Sequence, residues 1–112
     1  MQIQVVGTAP AFSAQVKAYA EYKVFSRLAP LARRIGVVRI VLTNDGPEQP
    51  SCCAVTADLG EAGSVTSRVR RRQPIEAIDS AAVALADAAT RRLADRSPAS
   101  KSRAEKGVRS GP

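Results

Sequence analysis

Five cations fall within residues 17–34: Lys17, Lys23, Arg27, Arg33 and Arg34, offset there only by Glu21. Side chains of this type and density suit the neutralisation of phosphates, because each phosphate contact releases condensed counterions. A second group, Arg68, Arg70, Arg71 and Arg72, is denser still, and guanidinium forks can hold phosphate oxygens in pairs. Arg91, Arg92 and Arg96 make a third. Each group also has a structural explanation. Lys17 and Glu21 stand four apart and can pair on a helix for roughly a few tenths of a kcal/mol. Arginines on an edge strand deter sheet-to-sheet aggregation, and cations in a last helical turn oppose the macrodipole. For the first group, the scarcity of acids favours RNA contact; for the second, the two explanations stand level. Tyr22 is a candidate for stacking on a base, whereas Tyr19 falls on an apolar stripe and is expected in the core.

The same residue inventory argues against catalysis. The chain has no histidine, so Ser-His and Cys-His nucleophiles and His-based metal sites are excluded. The glycines are scattered at turns and form neither a phosphate loop nor a dinucleotide fingerprint. The chain is therefore expected to be a non-enzyme that takes no cofactor, no metal and no small-molecule substrate. Cys52 and Cys53 are adjacent, which suits neither metal-chelate spacing nor an unstrained disulfide. In a strand their side chains point to opposite faces, and they read as two small hydrophobes in a reducing compartment.

The elements that position these charges follow from periodicity. Residues 1–6 alternate as a strand, with Ile3 and Val5 between Gln2 and Gln4. Ser13 stands as an N-cap, and Val16, Tyr19, Ala20, Val24 and Leu28 recur at helical spacing, so a helix is expected up to Ala29, where Pro30 stops or kinks it. Lys17, Lys23 and Arg27 are expected to project from the face left over. Residues 31–36 then form a basic turn. Residues 37–43 are rich in β-branched types and end at the turn residues Asn44, Asp45, Gly46 and Pro47. Strands are expected over 51–59 and 64–71, joined through Gly60–Gly63. In the second of these, Val65, Ser67 and Val69 share one side while Thr66, Arg68 and Arg70 share the other. Pro74 and Glu76 suit a helix start, and Ile75, Ile78, Ala82, Leu85, Ala89 and Leu93 make the apolar stripe of a helix ending near Arg96.

The expected fold class is α+β in the order β-α-β-β-β-α. One four-stranded mixed sheet would have two helices packed on one face, and the first two strands would run parallel through a helical crossover. The 112 residues suffice for one domain with a modest core. Hydrophobic residues are 45% but aromatic ones only 4%, so the core is built of Ala, Val and Ile. Residues 1–96 form this domain, and residues 97–112, nearly all Ser, Pro, Gly, Ala and charge, are expected to be a disordered basic tail. The net charge is +7 and the sequence pI about 10.3, a balance common in nucleic-acid-binding domains. No apolar run approaches a membrane span and the first residues lack a signal-peptide pattern, so a cytoplasmic protein without a membrane partner is expected.

The opening Met1–Gly7, the cap at Ser13, and Val16, Lys17, Tyr19, Glu21, Lys23 and Val24 up to Leu28 resemble the first helix region of the ribosome hibernation-promoting factor and ribosome-associated inhibitor A family. The run Ala77-Ile78-Asp79-Ser80-Ala81-Ala82 resembles that family's second helix. The similarity spans about residues 1–96 in element order. It implies a domain that binds rRNA of the small ribosomal subunit in the mRNA and tRNA channel and silences translation under stress or in stationary phase, as a monomer off the ribosome. Positions in the second helix that the family often charges are Ala84 and Ala86 here, and Arg68, Arg70, Arg71 and Arg72 stand where acids are common in the family. The expected RNA-binding residues are Lys17, Lys23, Arg27, Arg33, Arg34, Arg68, Arg70, Arg91, Arg92 and Arg96. Two alternatives remain: a general module akin to double-stranded-RNA-binding domains in topology, and a non-ribosomal interaction protein of the same fold.

Overall fold

The strand at Val37–Asn44 organises the sheet, and its composition explains why. Five of its eight residues are β-branched, and Val38, Ile40 and Leu42 alternate into full burial, as a pleated strand packed on one face requires. In the computed structural model, which describes residues 1–7, 12–44 and 50–95, this strand is β2. It pairs parallel with β1 (Gln2–Gly7), where Ile3 meets Val38, and antiparallel with β3 (Ser51–Asp58), where Ile40 meets Val55. β4 (Ser64–Arg71) completes the sheet antiparallel to β3, in the spatial order β1-β2-β3-β4.

The parallel pair needs a crossover, and α1 (Ala14–Leu28) supplies it. Its Ser13 cap accepts a hydrogen bond at Oγ from the Val16 N–H at 3.3 Å. The α-helical geometry ends at Leu28, and Pro30 sits in the first turn of a 3-10 helix over Ala29–Arg34, where its missing donor costs nothing. The basic turn expected after Pro30 thus continues helically, in a tighter winding. α2 (Pro74–Asp95) begins at Pro74 with Glu76 in its first turn. The fold is the expected α+β arrangement, β-α-β-β-β-α around one mixed sheet.

α1 packs on β1 and α2, and α2 packs on β3 and β4, so one face of the sheet is covered and the other, among the described residues, is open. Ala20, Val24 and Leu28 of α1 and Ile78, Leu85 and Ala89 of α2 meet Val38, Ile40 and Val55 from the sheet. Seven of the buried core residues are alanine, which fits the small-residue core expected from composition and leaves each contact little apolar area. Ile75 departs from the expected stripe and is 39% exposed. The buried face of α2 turns instead through Ala77, Ile78, Ala81 and Ala82, and Ile75 sits at its margin in the first turn.

Both cysteines are free and buried. Cys53 lies on the helix side with the core, and burial, with a smaller contribution from Cys52, pushes its thiol up to about 12. Among the described residues, no helix is long and apolar enough to cross a membrane. The segment around Pro10, the turn at Asp45–Pro47, Arg96 and the 97–112 tail lie outside the described residues.

Candidate nucleic-acid interface

The cations expected to project from the free face of α1 have different surroundings: Lys17 and Lys23 are half-buried and Arg27 is exposed. Lys17 and Lys23 are six residues apart, which at 3.6 residues per turn puts them about 120° from each other. Lys17 is half-buried over β1, so close that a Cβ at Gly7 would come within 2.8 Å of its Cε. Lys23 points toward α2, where its Nζ lies 3.9 Å from Asp79 Oδ1. The same carboxylate oxygen accepts a hydrogen bond from the Tyr19 hydroxyl at 2.6 Å. That hydrogen bond, then burial, then the Asp79 charge raise the Tyr19 pKa. Asp79 therefore ties the two helices together. Tyr19 is half-buried against the core as expected, while Tyr22 is 65% exposed and free to stack.

α2 is poorer in positive charge than a phosphate-binding helix would be. From Pro74 to Thr90 it carries Glu76, Asp79 and Asp87 and no Lys or Arg. Ala84 is exposed and Ala86 half-buried at the positions where the family resemblance would lead one to expect charge. Arg91 pairs with Asp87 one turn back. Arg92 Nη1 donates to the Ala62 carbonyl at 2.9 Å, which pins the β3–β4 connection to α2. That connection, a short 3-10 turn over Gly60–Ala62, needs glycine after it. Gly63 has φ +92°, and a Cβ there would come within 3.0 Å of Arg92 Nη1. Of the helix-side candidates, Arg27, Arg33 and Arg34 are exposed, and their side chains have no partner among the described residues.

The open face of the sheet is organised differently. The register places Gln4, Arg39, Thr56 and Thr66 in one row across the strands, Val6, Val41, Ala54 and Arg68 in the next, and Thr43, Cys52 and Arg70 in the third. Arg68 and Arg70 therefore share a face, as the alternation of the strand predicts, with Thr66 beside them hydroxyl-bonded to Thr56 at 3.0 Å. The described carboxylate on this face, Asp58, lies at the far end, opposite Ser64, and accepts from the Gly60 N–H at 2.9 Å. Arg39 is missing from the candidates above although the sequence carries its signal: it alternates with Val38 and Ile40 and so must face away from them. Among the described residues no cluster of His, Cys, Asp and Glu could hold a metal ion.

No protein-family model matches the sequence, and no curated protein does. Among solved structures, the chain is similar to a ribosomal subunit interface protein from Coxiella burnetii, with a TM-score of 0.71 at 16% identity over 84% of this chain and 99% of that one. It is also similar to the N-terminal domain of Protein Y from Thermus thermophilus, with a TM-score of 0.64 at 24% identity over 81% of this chain and 98% of that domain. The chain therefore has the fold of these two proteins, the one implied by its resemblance to the hibernation-promoting factors.

Proposed function

We propose that this chain is a ribosome-associated, non-enzymatic factor that docks on the small ribosomal subunit and competes there with mRNA and tRNA, silencing translation under stress or in stationary phase. The observation that carries this reading is the match of nearly the whole fold to a protein described as a ribosomal subunit interface protein, joined to a net charge of +7 on this chain. Such a charge favours association with a polyanion. The factor acts in the cytoplasm, as a monomer off the ribosome, with no cofactor. Arg27, Arg33 and Arg34 are the helix-side cations available to rRNA, and Tyr22 is available to stack.

Co-sedimentation of the purified chain with small subunits, at two salt concentrations and with excess duplex RNA as competitor, tests this. Retention in the presence of competitor supports docking by shape. Loss to competitor reduces the chain to a general RNA binder. A second reading, a non-ribosomal interaction protein, is favoured by one feature: the length of α2 without a cation before Arg91. Indifference to subunits and to RNA at both salt concentrations would select it.

A further inference from the structure

The arginines at the free edge of the sheet surround two adjoining clefts. One, of about 260 Å³, is lined by Thr43, Asn44, Pro50, Cys52, Arg68 and Arg70. The other, of about 530 Å³, is lined by Pro50 and Arg70 through Arg72. They meet at Pro50 and Arg70, and among the described residues no carboxylate lines either. Arg71 Nη1 donates to the Arg70 carbonyl at 2.9 Å. The guanidinium groups of Arg68, Arg70 and Arg72 have no partner among the described residues. Like charges held this close on one strand repel, and a bound anion offsets that cost.

We propose that this end of the open sheet face binds the backbone of single-stranded RNA, with Arg68 and Arg70 on successive phosphates and the strand continuing past Arg72. The proposal deepens the ribosomal reading and rests on it for the class of partner; it adds a site on the face opposite the helices. Three observations support it. Arg68 and Arg70 are two residues apart on an extended strand, about 6.7 Å along the chain, a spacing on the scale of neighbouring phosphates, and each fork can take two phosphate oxygens. Pro50, Thr43 and Cys52 line a cleft beside the two arginines, and an unpaired RNA chain can bend to follow such a cleft where a stiff duplex cannot. Val41 and Ala54 leave a half-buried apolar floor beside Arg68, on which a base can lie, and Arg39 extends the positive field across β2. On the helix side, Lys17 is half-buried over β1, Lys23, Arg91 and Arg92 have partners within the fold, and the exposed Arg27, Arg33 and Arg34 line neither cleft.

The test is fluorescence anisotropy of a labelled oligouridylate of roughly 12 nucleotides with the full chain, at about 50 and about 200 mM salt. Arg68→Gln/Arg70→Gln should weaken binding at least about tenfold and reduce the slope of log K against log salt by about 1.4, two phosphates at about 0.7 each. Arg33→Gln/Arg34→Gln should cost less than about threefold, and Arg68→Lys/Arg70→Lys should restore the salt slope but not the full affinity. Both arginines are exposed, and an unchanged melting transition will establish that the variants fold. The proposal is overturned if the wild-type chain ignores the oligonucleotide at low salt, if duplex RNA of equal length binds more tightly, or if the Arg33/Arg34 pair loses as much as the Arg68/Arg70 pair. Parallel co-sedimentation with small subunits separates the two readings. Oligonucleotide binding without subunit retention sinks the ribosomal reading alone, and subunit retention with oligonucleotide binding insensitive to Arg68 and Arg70 sinks this one alone.

Discussion

On the helix side, four of the seven described cations concentrated in the sequence lie against other parts of the fold, Lys17 over β1, Lys23 at Asp79, Arg91 at Asp87 and Arg92 at the Ala62 carbonyl, and Arg27, Arg33 and Arg34 stay exposed. On the open face, Arg39, Arg68 and Arg70 stand on a row-by-row lattice of Thr, Gln and small apolar residues, with no side-chain partner among the described residues. The difference teaches that charge density along a chain is a poor measure of charge available to a partner. A helix packed on a sheet has two flanks next to its buried stripe, and long cations there reach neighbouring elements. A strand with one face uncovered projects its side chains into solvent.

The comparison can be broken most severely at two adjacent residues of β2. Ile40 is fully buried toward the helices, while its neighbour Val41 is half-buried on the open face. Ile40→Ala should cost about 2–5 kcal/mol, a large part of the stability of so small a domain. Val41→Ala should cost about 1 kcal/mol or less. Urea unfolding midpoints measure both, and equal losses would mean that a second layer covers the open face.

Alkaline pH probes the helix side separately. The Cys53 thiol has its pKa raised by burial from the usual 9 to about 12, so between those values the folded chain holds a proton that the unfolded chain has released. Stability is fully present below about 9 and falls as pH rises toward about 12, by at most about 1.4 kcal/mol per pH unit. Cys53→Val should flatten that fall, read as the change in urea midpoint between about pH 8 and about pH 10. The raised Tyr19 pKa acts in the same direction and stays in the variant. A fall unchanged by Cys53→Val would assign all of it to other groups.

Tyr19→Phe tests the link between the helices. It removes the hydroxyl that donates to Asp79 and should cost about 1 kcal/mol in thermal or urea unfolding. Asp79→Asn should bring the Tyr19 titration, followed by phenolate absorbance, back toward the ordinary phenol value. No movement would remove Asp79 as the cause of the shift.

Much of this was legible in the sequence because it is local. Alternation along residues 64–71 assigns Val65 and Ser67 to the core and Arg68 and Arg70 to the open face, and the structure agrees. Ser13, Pro30 and Pro74 mark helix ends through backbone chemistry that needs no tertiary partner. What was not legible depends on contacts distant in the chain. Tyr19 and Asp79 are 60 residues apart, and Lys17 meets Gly7 only because α1 crosses back over β1. Cations spaced on a helix can be placed around it, but their partners cannot be read before the neighbouring element is known. Arg39 is the opposite case: its alternation with Val38 and Ile40 was sufficient, and the charge was hidden only by the apolar run around it.

The smallest effects bear on the end of α2, where two adjacent arginines have different partners. Arg91 and Asp87 are both well exposed, with side chains 76% and 58% accessible, so their pair is screened and Arg91→Ala should cost about 0.5 kcal/mol or less. Arg92 donates to a carbonyl 30 residues away, in the loop that joins β3 to β4. Arg92→Ala leaves that acceptor without its donor and should cost about 1 kcal/mol. Both substitutions remove one cation near the C-terminus of the same helix, so the macrodipole contribution largely cancels between them. The difference in urea midpoint therefore isolates the tie to the loop. If Arg92→Ala is as mild as Arg91→Ala, the hydrogen bond to Ala62 contributes nothing to the fold, Arg92 is available to a phosphate, and the contrast between the two sides of the sheet narrows at this point.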